Sequence, residues 1–388
     1  MRRLLILASV MVFFDVAFYA AIAPLLPAYA ARFGLSKAGA GVLAASYAAG
    51  TLLSSLPAGL LATRLGPRLT VIGGLLLLGA SSVVFGFGAS IVQLDVARFV
   101  QGISGALIWS GALTWLITAA DPERRGSVIG TVLGTAIAGA LVGPLLGAIA
   151  AEFGTRAVFG AVMGGALVLA ALASRLSEAG PPERQGLREV AATMVSRPVL
   201  AVSAFVAVPS LMFGAVGVLV PLRIAELGGG HAVIAAGFIA GAALEAVLAP
   251  IAGRYSDRVG RRTPFVVGIG ICAAAIAGIG LAQALEVVLA ALILGSLGAG
   301  ICFTPAMTAL SETAESSHLH QGFAAGLSNM AWAAGQVVGA LAGGGVASAA
   351  GYTVPSLAVA ALLLCTAAYA HRFLASPAVP VPEGAVQV

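Results

Sequence analysis

Asp15, Arg98 and Glu245 stand in stretches of sequence that are otherwise apolar. A carboxyl group in such a place can hold a proton, release it, or pair with a cation. Desolvation favours its neutral form, whereas a nearby guanidinium favours the ionised one. Inside a bilayer each charged group at a helix centre costs about 2.5–3.5 kcal/mol, so each of the three needs a reason. Asp15 and Arg98 admit two: a proton site whose ionisation changes with its surroundings, or a static buried pair that fixes packing. Glu245 is open among a second proton site, the anchor of a cationic ligand, and a carboxylate that snorkels or meets a neighbouring hydroxyl.

Polar and aromatic residues extend these positions at helical spacing. Arg98 continues through Gln101, Gly105 and Trp109, Phe18 and Tyr19 flank the Asp15 face, and Phe238 and Gly241 share the face of Glu245. Near the C-terminal end, Asn329, Trp332 and Gln336 share another face. A cavity built from Phe18, Tyr19, Gln101, Trp109, Phe238, Asn329, Trp332 and Gln336 would be aromatic with few polar groups, which suits a lipophilic or amphipathic cation. Packing against other helices or lipid accounts for any one of these aromatics equally simply.

Other chemistries find no footing. His231, His318, His320 and His371 fall in loops or at helix ends, without the spacing of a metalloprotease, a nucleophile elbow or a phosphate-binding glycine loop. Cys272, Cys302 and Cys365 lie in apolar stretches with neither a disulfide framework nor a metal-ligand spacing. An enzyme, a resident metal or cofactor, and a nucleic-acid partner are therefore not expected.

The elements that must position these groups follow from composition. Of 388 residues, 60% are hydrophobic and only 9% charged, against about 25% charged in an average soluble domain. Most of the exterior must face lipid. A span needs about 20 apolar residues, and charge-free stretches at 38–63, 69–94, 99–120, 126–151, 157–174, 198–222, 263–285 and 287–311 each supply one. Further spans run from about Leu4 to Ala28 around Asp15, and over 232–252 around Glu245. The run between Glu315 and Arg372 holds two, divided near Gly351 and Pro355. Twelve spans are predicted. A cleavable leader ending near Ala28-Tyr29-Ala30 is the weaker reading of the start, because the apolar run is too long and Asp15 interrupts it.

Alternate loops differ sharply in charge. One side carries only Arg32, Lys37, Arg156 and Arg223, while nearly all other basic residues fall on the side of the termini. The positive-inside rule then places both termini in the cytoplasm. Asp15 lies about 16 Å from that side, and Arg98 about 20 Å from it, so the two can approach near the midplane. The polar segment 175–197, with Pro181-Pro182, separates an N-terminal half, 1–174, from a C-terminal half, 198–374, and leaves a tail, 375–388.

The halves repeat one another. Gly59-Leu-Leu-Ala-Thr63-Arg64-Leu-Gly66-Pro67-Arg68 recurs 194 residues later as Gly253-Arg-Tyr-Ser-Asp257-Arg258-Val-Gly260-Arg261-Arg262. Gly139, Gly143 and Gly147 recur as Gly335, Gly339 and Gly343, and Gly102 and Gly105 as Gly295 and Gly298. The position matching Arg98 is Ala291, so the arginine is not a scaffold requirement. Parallel six-helix halves with a binding site between them describe one transporter architecture.

These segments resemble the major facilitator superfamily over nearly the whole chain. Gly253 through Arg262 is similar to its loop signature between spans eight and nine, and Arg98 through Ala106 to its span-four signature. Gly139-x-x-x-Gly143-Pro144-x-x-Gly147 is similar to the span-five signature of its drug:proton antiporter branch, and Asp15 with Pro24-Leu-Leu-Pro27 to the first span of multidrug pumps. The resemblance implies an all-α fold of twelve transmembrane helices in two six-helix pseudo-symmetric halves. It implies a proton-coupled exporter, with Asp15, Arg98 and Glu245 in coupling. Gly139, Gly143, Pro144 and Gly147 would let helices approach and bend. Gly59, Arg64, Gly66, Gly253, Asp257, Arg258, Gly260, Arg261 and Arg262 would form gating loops, though Thr63 and Pro67 depart from the signature in the first copy.

The expected function is efflux of a lipophilic or cationic small molecule in exchange for protons, by a monomer in a bacterial inner membrane. Export of a neutral sugar, nucleoside or amino acid is the alternative. A non-transporting sensor on the same fold is disfavoured by the short tail and the lack of a sizeable soluble domain.

Overall fold

The structure, a computed structural model, describes residues 1–121, 125–177, 187–317 and 321–373. Arg124, Arg184, Pro181-Pro182, His318, His320 and the tail 375–388 lie outside the described residues. Among those described the chain is helical throughout: α1 Arg2–Ala20, α2 Ile22–Phe33, α3 Lys37–Arg64, α4 Pro67–Phe87, α5 Ile91–Ala119, α6 Arg125–Phe153, α7 Thr155–Ser174, α8 Leu187–Met194, α9 Arg197–Glu226, α10 His231–Val259, α11 Arg262–Leu281, α12 Leu285–Ser316, α13 Gln321–Ala350 and α14 Thr353–Phe373. Twelve of these segments are long and apolar enough to span a bilayer, with α1 and α2 together forming the first. Only helices satisfy every backbone group within such a span without help from a neighbouring strand.

The first span is longer than the run Leu4–Ala28 suggests, reaching Phe33, and it is broken at Ala21. The cause is local. Pro24 has no N–H to return to the carbonyl of Ala20, so the last turn of α1 is left short of donors. The span ends where Gly34, at φ 63°, makes the left-handed turn that terminates α2, and Ser36 caps α3 by accepting from the Gly39 N–H at 3.2 Å. The short α8 lies within the polar segment 175–197.

The sequence repeat is also a repeat of packing. α6 lies on α1, and α13 on α9. A Cβ added to Gly139 would strike the Phe13 carbonyl, and one on Gly335 the Ala207 carbonyl 194 residues further on. Gly143 faces the Ala17 carbonyl as Gly339 faces that of Leu211. With no hydrophobic force between helices in lipid, such close backbone approach is what holds them together. Gly66 and Gly260, at φ 92° and 85°, make the same turn at matching places.

The halves meet along α3 and α13, and along α6 and α10. On the face opposite the termini the join is tight. Gly41 and Gly344 bring α3 and α13 backbone to backbone, Ala38 donates its N–H to Ser348 Oγ at 2.8 Å, and His231 Nδ1 bonds the Pro24 carbonyl at 2.7 Å.

Candidate functional site

Asp15 is fully buried in α1. The Tyr47 hydroxyl, from α3, donates to its carboxylate at 3.1 Å from one oxygen and 3.0 Å from the other. The Trp109 side chain of α5 lies beside it. Space for this arrangement comes from Gly105, where an added Cβ would stand 3.1 Å from both carboxylate oxygens and collide with the Tyr47 hydroxyl.

Arg98, also buried, makes no ion pair with Asp15. Its guanidinium donates to the Phe18 carbonyl at 3.4 Å, the Tyr19 carbonyl at 3.3 Å and Gln101 Oε1 at 3.0 Å. Phe18 and Tyr19 sit in the last turn of α1, just before the break at Ala21. The arginine therefore caps a helix end in the middle of the protein, where free carbonyls and the negative end of the helix dipole both favour a cation. Its charge also lies 5.0 Å from the Tyr47 ring and 5.9 Å from the Tyr19 ring. Gln101 is held in turn by its bond to Ser82 Oγ at 3.1 Å. Asp15 and Arg98 thus communicate through Tyr47, which carries a hydrogen bond to one and a ring face to the other.

Sequence reasoning passed over Tyr47 and Ser82. A signal existed for the first: Tyr47, Thr51 and Ser55 form a polar line at i, i+4 spacing on the face of α3 that meets α5.

Glu245 has a different setting. It lines a cavity of about 280 Å³ together with Tyr19, Phe213, Phe238, Phe303, Trp332 and Gln336. Among the described residues it has neither an ion-pair nor a hydrogen-bond partner. Pro144, inside α6, is part of the same wall. Of the remaining residues predicted for a cavity, Phe18 packs on Phe14 and Phe159, Gln101 serves Arg98, Trp109 lies by Asp15, and Asn329 is not on the wall. Asp15 is not on it either. The Tyr19 ring, 4.7 Å from that of Tyr47 and 5.5 Å from that of Trp332, borders both places.

The two halves have been filled unequally. Where the first half has Asp15, Tyr47 and Arg98, the matching positions of the second are Pro209, Gly241 and Ala291. The first half is plugged by a bonded polar cluster, and the cavity extends instead into the second, past Ala242, Ala291 and Gly295.

Two sets of charges lie at the ends of the helices. On the terminal face Arg261 pairs with Glu312 and Arg262 contacts His371, all within the second half. Arg258 is exposed there, and the side chain of Asp257 lies outside the described residues. In the first copy Arg64 closes α3, and a Cβ added to Gly59 would stand 3.7 Å from the Phe323 ring. A Cβ added to Gly253 would stand 3.4 Å from the Thr304 side chain. On the opposite face Glu226 gathers Lys37 at 3.2 Å, Arg223 at 3.3 Å and the Tyr352 hydroxyl at 2.8 Å, joining α3 of one half to α9 of the other. Burial and the Glu226 carboxylate push the Tyr352 phenol far above its usual range, so it stays a donor.

Among the described residues, twelve helices long and apolar enough to span a bilayer, a two-fold internal repeat and a cavity at the join define the architecture of a multi-pass membrane protein. The sequence profile of the Major Facilitator Superfamily matches residues 5–319 and again residues 210–387, and the chain belongs to that family of transporters. It is 33% identical over 123 residues to the MFS-type transporter ppzB of Metarhizium rileyi, a match over 30% of this chain and 26% of that protein. It is 31% identical over 102 residues to the quinolone resistance protein NorA of Staphylococcus aureus, covering 26% of each. These stretches are well short of the relatives' full length. Among solved structures, a D-xylose-proton symporter superposes with a TM-score of 0.77 at 16% identity, over 96% of this chain and 98% of that one. The human organic anion transporter MFSD10 gives 0.72 at 16% identity, over 95% and 99%. At such identities the likeness is one of fold.

Proposed function

We propose that the protein exports lipophilic or cationic small molecules in exchange for protons, by rocking of its two halves about the cavity. The observation that carries this reading is the presence of two carboxylates in different settings: Glu245 on an aromatic cavity wall, and Asp15 sealed behind Tyr19 and Tyr47. An antiporter needs one group that changes its proton occupancy with conformation and a place where the cargo sits. Asp15 would release its proton when the first half turns it toward one side of the membrane and regain it on the other. Arg98 would hold the broken first span in register as it moves. The termini would face the cytoplasm, with residues 175–197 linking the halves on that side. The partial likeness to NorA, a quinolone resistance protein, points to the same cargo class.

The test is proton movement in proteoliposomes under an imposed pH gradient, with a panel of cationic dyes, drugs and neutral metabolites. Substrate-triggered proton flux in wild type and its loss in D15N is the expected result. Equal coupled flux in D15N would defeat the role given to Asp15, and coupled flux only with neutral metabolites would defeat the cargo class.

A further inference from the structure

The polar groups of this protein are divided between two compartments, and that division assigns them different partners. Asp15 has a donor on both carboxylate oxygens, no exposure, and no place on the cavity wall. Its neighbourhood is closed by Gly105 on one side and by the Tyr19 and Tyr47 rings on the other. Nothing larger than a proton reaches it without dismantling the cluster. Glu245 has the opposite character. Its carboxylate stands on the wall of the cavity, and among the described residues no arginine, lysine or histidine answers it. A carboxylate taken out of water without a counter-charge is a costly feature for a fold to keep. A cation arriving in the cavity would remove that cost, and Tyr19, Phe213, Phe238, Phe303 and Trp332 offer ring faces to such a cation or to apolar groups attached to it.

The wall also narrows the kind of cation. Apart from Glu245, its polar contributions are few, chiefly Gln336 and Ser296. A guest with many hydrogen-bonding groups would lose water bonds there without replacement. A monocation whose charge is shielded by carbon, such as a quaternary or tertiary ammonium or a phosphonium bearing aromatic rings, loses little.

We infer that Glu245 alone meets the charge of the transported molecule, selecting lipophilic monocations, while Asp15 never touches cargo. This rests on the export reading above, but its test does not require transport. Binding of methyltriphenylphosphonium, and of the neutral triphenylphosphine oxide as a near-isostere, would be measured on the purified full-length protein in detergent. In E245Q the phosphonium should bind about tenfold more weakly or worse, with the oxide little changed. E245D, which keeps the carboxylate, should retain the preference for the cation. A parallel loss of both ligands in E245Q, or a loss of phosphonium binding in D15N that exceeds that in E245Q, overturns the inference.

A second measurement avoids substitution altogether. A hydrophobic carbodiimide modifies buried carboxyl groups, and peptide mass analysis locates the adduct. Protection of Glu245 by the phosphonium supports the assignment; protection confined to Asp15 overturns it. Failure of proteoliposomes to move any cation would instead defeat the export reading, leaving the binding result to decide the role of Glu245 by itself.

Discussion

The Tyr47 hydroxyl lies 3.1 and 3.0 Å from the two oxygens of Asp15, so one donor reaches both oxygens of a buried carboxyl group that also has the Trp109 side chain beside it. Removing it takes away the donor shared by both oxygens, in a place where Asp15 is fully buried. Tyr47→Phe should cost about 1–3 kcal/mol of stability, read as a lower melting temperature in detergent. Because the same ring also faces Arg98, proton-coupled flux should fall with it. In a D15N background the added loss from Tyr47→Phe should shrink, and a double-mutant cycle measures the coupling.

Gly105 makes the room for that bond. Gly105→Ala places a methyl against the Tyr47 hydroxyl and both Asp15 oxygens, and should destabilise by about 1–3 kcal/mol through overpacking. Gly130→Ala is the matched comparison, since an added Cβ there meets nothing within 4 Å. It should be neutral or stabilising by about 0.5–1 kcal/mol. Equal melting temperatures for the two variants would argue that the cluster is loose.

Arg98 invites a test between two duties. If it chiefly balanced the charge of Asp15, R98L would be rescued by D15N. If it chiefly caps α1, as its bonds to the Phe18 and Tyr19 carbonyls indicate, the double variant should be no more stable than R98L. We expect no rescue. R98K should also fall well short of wild type in flux, because an ammonium cannot span the carbonyls and Gln101 as a planar fork does.

At the face opposite the termini, Glu226 holds Lys37 across the join between halves. Both side chains are partly exposed, so the pair is worth about 0.2–1 kcal/mol at most. At that upper limit it shifts the ratio of two conformations about fivefold. K37M and E226Q should therefore raise the population opened on that face, with little change in melting temperature. Lys37 is the only lysine in the chain, so an impermeant amine reagent reports the change in E226Q directly. Faster labelling of Lys37 than in wild type is expected.

Much of the architecture was readable from charge spacing. The charge-free stretches mark the spans because lipid penalises every interruption, and the glycine repeats mark the crossings because only glycine permits backbone contact. Rotational detail was harder. Phe18 and Tyr19 are neighbours, yet one packs on Phe159 within its half and the other reaches the cavity. A helix of uncertain rotation gives no way to choose between them. Tyr47 escaped notice because a tyrosine in an apolar span is ordinarily packing, and its importance comes from a partner on another helix. The Lys37–Glu226 contact joins residues far apart in the chain, one from each half, which no local pattern announces. The break at Ala21 had a local cause in Pro24, but the arginine that answers it comes from α5.

The unequal filling of the halves has a bearing on how such a protein can change over generations. The cavity extends past Ala242, Ala291 and Gly295, small residues remote from the Asp15 cluster in the chain. Substitutions there reshape the guest room while leaving the bonded residues of the first half untouched. A lineage could thus acquire new cargo through drift in one half, leaving the Asp15 cluster of the other as it is.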